Sequence, residues 1–268
     1  MPELPEVETI KNSLQSIVGE KVSQIDVRRK DIIRLQEYEP GKVTGSPISA
    51  VTRRGKYLVI SFKNQLYLVI HLGMSGRIYL QGSDQPVDLP HVHLIVHLGN
   101  HQTLVYQDPR RFGGVWFLRD IQPFFARLGI EPLTGDFTPD YLEQITRGRR
   151  IAIKSLLLVQ NLISGIGNIY ADEALFEAGI RPSRPAQSLS REEIGKLCQA
   201  IKKVLQKSIR YRGTTFRDYR DGSNQPGSFQ DELKVYGKIN QKCPVCDQIL
   251  RREKIGGRSS FFCPGCQR

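Results

Sequence analysis

A chain of 268 residues with 39% hydrophobic residues has enough core for one large domain or two modest ones. Its net charge of +12 points to a polyanionic partner, DNA or RNA before a membrane surface. No apolar run approaches a membrane span, residues 1–20 lack the apolar segment of a signal peptide, and the five cysteines are not spread as a disulfide framework. These features predict an intracellular, reducing location.

The first chemical signal is Pro2 in Met1-Pro2-Glu3-Leu4-Pro5-Glu6. A small residue after Met1 permits removal of the methionine, which leaves a free secondary amine. Such an α-amino group titrates near pH 8, so about a quarter of it is unprotonated at about pH 7.5, whereas a lysine titrates near 10.4. Attack of that amine on a sugar C1′ gives an iminium, an electron sink, and Glu3 and Glu6 stand beside it for proton transfer. The same residues also read as an ordinary helix start, with proline in the first turn and acids that suit the dipole.

Residues 6–18 predict a helix, with Ile10, Leu14 and Ile17 at helical spacing. From about 21 to 118 the pattern is β-rich, with runs at 57–62, 66–71, 77–80, 103–106 and 115–118 separated by turn residues. In 91–98, Val92, Leu94, Val96 and Leu98 alternate with His91, His93 and His97. Short strands with local turns predict an antiparallel sandwich or barrel.

From about 139 the period becomes helical. Ser190 and Glu193 form a capping box ahead of an apolar stripe that includes Cys198, which reads as a small core residue. Asn168 is positioned to cap a helix running to Ala178, and the tight Ser164-Gly165-Ile166-Gly167 turn before it predicts a helix-turn-helix variant. The Gly-, Ser- and Gln-rich stretch 213–230 predicts a mobile loop.

Cys243-x2-Cys246-x16-Cys263-x2-Cys266 has the spacing of two zinc knuckles, with Gly256-Gly257 where a hairpin turns between them. Four sulfur ligands leave no open position, so this reading predicts one structural Zn2+. Two disulfides are the rival arrangement and fit poorly with a reducing compartment. Arg251, Arg252, Lys254, Arg258 and Arg268 make the region strongly basic.

Five blocks occur together in order: Met1–Thr9, His71-Leu72-Gly73-Met74-Ser75-Gly76, Asp108-Pro109-Arg110-Arg111-Phe112-Gly113, Gly165-Ile166-Gly167-Asn168-Ile169-Tyr170-Ala171-Asp172-Glu173 and the cysteine quartet. Over its full length the chain resembles the bacterial formamidopyrimidine-DNA glycosylase family of zinc-finger type. Leu4 and Val7 resemble the oxidised-purine branch; the endonuclease VIII branch usually has Gly and Ile there.

The resemblance implies a multidomain α+β fold. Residues 1–135 would form a catalytic antiparallel β-sandwich with an N-terminal helix. A helix-two-turn-helix DNA-binding domain would span 136–222, and a loop with a four-cysteine zinc β-hairpin 223–268. The implied activity is that of a bifunctional glycosylase and AP lyase that removes 8-oxoguanine and formamidopyrimidines from double-stranded DNA, as a monomer in a bacterial cytoplasm, at the nucleoid and without a membrane. By the same resemblance Pro2 attacks C1′, Glu3 donates a proton, Glu6 is a supporting carboxylate, Lys56 serves β-elimination and Arg258 serves δ-elimination. Met74, Arg110 and Phe112 would fill the gap left by the flipped nucleotide. His91, Arg150 and Asn168 would contact DNA, and Lys154 would handle the damaged base.

The pattern departs from the family at Val159, where an acid is frequent, and at Val92, where His-Asp-His is common. Two other functions stay open at this stage: a noncatalytic zinc-containing binder of distorted DNA, and an oxidised-pyrimidine glycosylase of the endonuclease VIII branch.

Overall fold

The computed structural model describes residues 2–82, 84, 85, 87, 89–217 and 219–268. Met1, whose removal the amine chemistry requires, lies outside them. The chain divides into two compact units, one built from residues 1–127 and 211–230, the other from 128–210 and 231–268. Among the described residues no helix is long and apolar enough to cross a membrane.

The first unit opens with helix α1 (Leu4–Ser13), which starts earlier and ends earlier than its periodicity predicts, a short 3-10 turn taking up Gln15–Ile17. Nine strands follow: β1 (Val22–Val27), β2 (Ile33–Gln36), β3 (Ile48–Arg54), β4 (Tyr57–Phe62), β5 (Tyr67–His71), β6 (Arg77–Gly82), β7 (Val92–Leu98), β8 (Gln102–Gln107) and β9 (Gly114–Leu118). They form two sheets, ordered β1-β7-β8-β6 and β2-β9-β5-β4-β3. Val7 and Ile10 of α1, Leu58, Ile60, Leu68, Ile70, Val115 and Phe117 of one sheet, and Ile78, Leu94, Val96, Leu104 and Tyr106 of the other share one buried cluster. The first unit is therefore a sandwich and not a barrel.

Two features escape the alternation rule. A bulge between Val92 and Leu94 moves Val92 off the core face and into a cluster with Tyr79, Ile95 and Val105. The outer face of the five-stranded sheet is also covered, by Phe124 and Phe125 of the short helix α2 (Gln122–Phe125) packed on Tyr57 and Trp116.

Register places the sheet ends. Tyr57 pairs with His71, and His71 with Gly114, so β4 starts, β5 ends and β9 starts along one line. In the other sheet Gln107 pairs with both Arg77 and Val92. Two of the crossovers between the sheets, the turn 72–76 and the loop 108–113, therefore lie at this end, and they touch. Gly73 has φ +59, and a Cβ there would overlap the Gly113 amide and come within 2.5 Å of the Phe112 carbonyl carbon.

The second unit holds α3 (Pro139–Thr146), α4 (Ile153–Leu157), α5 (Asn168–Glu177) and α6 (Arg191–Arg210), then the hairpin β10 (Arg251–Ile255) and β11 (Arg258–Phe262). Thr138 caps α3, and the Ser190–Glu193 capping box forms as expected, with reciprocal bonds of 2.8 and 3.2 Å. Asn168 is the first residue of α5, with Gly167 at the cap position, so the predicted Asn168 cap does not form. Gly256 (φ +54) and Gly257 (φ +79) make the two-residue hairpin turn, both in the left-handed region that such turns require.

Replacing Gly73 with alanine adds backbone strain and a main-chain clash, and should lower stability by about 2 kcal/mol. Urea unfolding midpoints of the two proteins check this.

Candidate active site and zinc centre

Pro2 and Glu3 are buried at the start of α1. Glu3 is the extended residue before the helix, and its amide donates to Glu6 Oε2 at 2.8 Å. The other oxygen of Glu6 accepts the Thr214 amide at 2.7 Å. Glu6 therefore braces the helix start against the returning segment. At Gly213 (φ +81) a Cβ would stand 2.8 Å from Glu6 Oε1, so glycine is what permits this approach. The described residues of 211–230 are tied down further by Asp221, which accepts the Ser223 and Gln225 amides, and by Ser13, which accepts from Gly222.

Lys56 lies in the tight β3–β4 turn and is 7% exposed. That turn is fixed to α1 through Arg53, whose Nε reaches Glu8 Oε2 at 2.8 Å and whose Nη1 donates to the Gly55 carbonyl at 2.9 Å. Burial raises the Glu8 carboxyl, but Lys11 and Arg53 outweigh it and hold the group below its usual range. Across the strand from Tyr57, His71 is pushed down to about 4, first by burial and then by the Lys56 ammonium, against the pull of Asp108. The Gly73 amide donates to His71 Nδ1 at 3.1 Å, so the neutral ring carries its proton on Nε2.

The crossovers carry the three expected wedge residues. Met74 is 41% and Phe112 60% exposed, and Arg110 is exposed beside them. Apolar side chains left open on a braced loop suit insertion between bases. The brace is Asp108, fully buried, which accepts from Ser75 Oγ at 2.6 Å and from the Gly113 amide at 2.8 Å. Ser75 Oγ in turn accepts the Arg110 amide at 3.2 Å. His91 is exposed at the same end, and a recess of about 310 Å³ is lined by Arg29, His91, Val92, His93, Pro109 and Arg111. With Val92 turned into its apolar cluster, His91 has no acidic neighbour in the chain beside it.

In the second unit Arg150 and Arg258 are exposed, and Asn168 Nδ2 donates to the Ser259 carbonyl at 3.1 Å. The turn before Asn168 is supported by Gln160, which accepts the Gly165 amide at 3.0 Å and donates to the Ile166 carbonyl at 2.8 Å. Lys154 differs from expectation. It has no exposed surface with which to handle a base, and its ammonium lies 2.7 Å from Asp172 and 2.8 Å from the Ser259 carbonyl. Burial pushes the Asp172 carboxyl up to about 7, opposed by Lys154. Glu173 beside it accepts three successive amides, from Lys234, Val235 and Tyr236.

The four cysteines present sulfurs that all lie within 4.8 Å of one another, with Cys243 and Cys266 3.7 Å apart and Cys246 and Cys263 3.4 Å apart. A disulfide needs about 2.05 Å, whereas a zinc tetrahedron with bonds of about 2.3 Å has sulfur edges of about 3.8 Å. Amides of Val245 and Cys266 point at Cys243 and Cys263 sulfurs, as they do around thiolates. The donor set fits one structural Zn2+ and closes it on all four sides.

Asp108, Ser75, His71, Gln160, Asp172 and Glu173 are site-building residues without an expected role. Several stood within the quoted blocks, but the pairing of Ser75 with Asp108 and the amides that Asp172 and Glu173 accept join residues far apart in sequence, which spacing does not reveal.

Three domain-family models match in order: the formamidopyrimidine-DNA glycosylase N-terminal domain over residues 1–115, its H2TH domain over 128–220, and a zinc finger found in FPG and IleRS over 240–268. Fold and site together define a zinc-bearing helix-two-turn-helix protein with a β-sandwich catalytic unit. Formamidopyrimidine-DNA glycosylase of Syntrophomonas wolfei is 61% identical over 267 residues, and that of Carboxydothermus hydrogenoformans 44% over 271, each covering 100% of both chains. Wild-type Lactococcus lactis Fpg in complex with N7-benzyl-Fapy-dG DNA superposes with a TM-score of 0.91 at 36% identity over 100% of both chains. MutM (FPG) from Thermus thermophilus gives 0.89 at 38% identity, covering 99% of this chain and 98% of that one. The chain belongs to the formamidopyrimidine-DNA glycosylase family.

The folded pKa of His71 lies below its unfolded value of about 6.5. Its contribution to stability is present above that pH and is lost as pH falls toward about 4. Unfolding free energies of the wild type should therefore fall more steeply between those limits than those of His71→Gln. Replacing Cys263 with serine should reduce bound zinc from one per chain to near zero, read by metal analysis after gel filtration.

Proposed function

We propose that the protein is a bifunctional DNA glycosylase and AP lyase of base excision repair, acting on double-stranded DNA that contains oxidised purines. The observation that carries this is the start of α1. A proline, once Met1 is removed, and Glu3 are held there by Glu6, in the unit that also holds Lys56 and the exposed Met74 and Phe112. A module that only bound distorted DNA has no use for such a terminus. Lactococcus lactis Fpg is described in complex with abasic-site DNA, and also with DNA containing an oxidised pyrimidine. Lesion range is accordingly read by comparing excision of 8-oxoguanine with that of thymine glycol.

In the proposed sequence the Pro2 nitrogen lone pair bonds to C1′, the damaged base leaves with the electrons of the glycosidic bond, and the nitrogen gives up its N–H proton, which the departing base takes up. Glu3 gives a proton to the ring oxygen as the C1′–O bond opens, and the nitrogen completes an iminium. Loss of a C2′ proton then expels the phosphate on C3′, with the Lys56 ammonium stabilising the leaving oxygen. Loss of the C4′ proton expels the phosphate on C5′, with Arg258 serving that second elimination. Met74, Phe112 and Arg110 fill the vacated stack, the guanidinium facing the orphaned base. His91, Arg150 and Asn168 hold phosphates. Zinc holds the hairpin and takes no step. The protein works as a monomer in the cytoplasm, on nucleoid DNA.

Borohydride reduction during reaction with an 8-oxoguanine duplex should give a covalent protein–DNA adduct, and Pro2→Gly should reduce its yield at least tenfold. A wild-type chain of verified Pro2 terminus that gives no adduct refutes the mechanism.

A further inference from the structure

The buried pair of Lys154 and Asp172 sits in the second unit with no surface of its own, and each member holds the same strand. Lys154 Nζ donates to the Ser259 carbonyl at 2.8 Å, and Asp172 Oδ2 accepts the Phe261 amide at 3.0 Å. Both partners lie on β11, the strand that begins at Arg258. Asn168 Nδ2 takes the same Ser259 carbonyl, so the start of α5 and the hairpin share one acceptor. The turn of the hairpin is seated as well, since a Cβ on Gly256 would stand 2.8 Å from Ser155 Oγ, next to Lys154 on α4.

Zinc fixes the hairpin beyond β11 through Cys263 and Cys266, while the pair fixes β11 itself at Ser259, next to Arg258, and at Phe261. Burying an ion pair contributes little net stability, because desolvation offsets the attraction. What it supplies is register: one donor and one acceptor, two residues apart along the strand, that fit only one placement of it.

We infer that Lys154 and Asp172 are positioning residues for the second elimination, acting on Arg258 through the Ser259 and Phe261 backbone. This rests on the lyase reading above. The pair leaves the amine chemistry of the other unit to Pro2 and Glu3, and sets the share of product that proceeds from β- to δ-elimination.

The test uses the full chain with its zinc on a duplex carrying a preformed abasic site. Lys154→Met/Asp172→Leu removes both charges together, so that no uncompensated buried charge is left to unfold the protein. Lys154→Arg is the second variant; it keeps the charge but not the compact ammonium that fits beside Ser259. The ratio of β- to β,δ-elimination ends is read on a gel, beside borohydride-adduct yield, zinc content and melting temperature.

The expected result is a ratio raised tenfold or more in the double variant and at least threefold in Lys154→Arg, with zinc retained and the adduct still formed. A ratio within twofold of wild type in both variants overturns the inference. So does a parallel loss of zinc, adduct and both eliminations in both, since the pair would then merely hold the fold. A wild type that forms no adduct is a separate result, which sinks the lyase reading and this inference with it.

Discussion

The carboxylate of Asp108 is the constraint on which the first unit's working end depends. It is fully buried and must find donors, because an unpaired buried carboxylate costs far more than folding can offset. Its donors come from two sheet crossovers, Ser75 on one and Gly113 on the other, with the Tyr106 hydroxyl at 3.3 Å. Satisfying one side chain thus joins two loops that are more than thirty residues apart in sequence. Once they are joined with glycines back to back, Met74, Arg110 and Phe112 have nowhere to pack and point outward. The exposed wedge is a by-product of a buried acid.

The same arrangement recurs at Glu6, Asp172 and Glu173, each buried and each accepting backbone amides from an irregular or distant segment. At these four positions the acids are inside the protein, whereas Arg110, Arg150 and Arg258 are exposed. In a chain with a net charge of +12, burying those carboxylates against amides favours a positive surface field.

Much of this was readable beforehand, for a stated reason in each case. The central strands, the Gly256-Gly257 turn, the Ser190–Glu193 cap and the zinc ligands are local signals, fixed by residue type and spacing within twenty-odd positions. The face taken by Val92 was not readable, because a bulge shifts phase without a sequence marker. Nor was the place of Lys154, since a lysine spaced like a ligand contact looks the same whether its ammonium faces solvent or Asp172. The destination of 211–230 was hidden too: a polar, Gly-rich stretch carries no apolar stripe to say where it docks, and its anchors are amides on Glu6 and Ser13.

That docking bears on how the protein is made. The first unit is closed by residues that follow all four helices of the second, so the terminus bearing Pro2 lacks its Thr214 bond until about 230 residues have left the ribosome. A polypeptide cut short before that point lacks the amide that Glu6 Oε1 accepts, and the start of α1 has one brace fewer. The discontinuity of the unit ties its first helix to a segment made late.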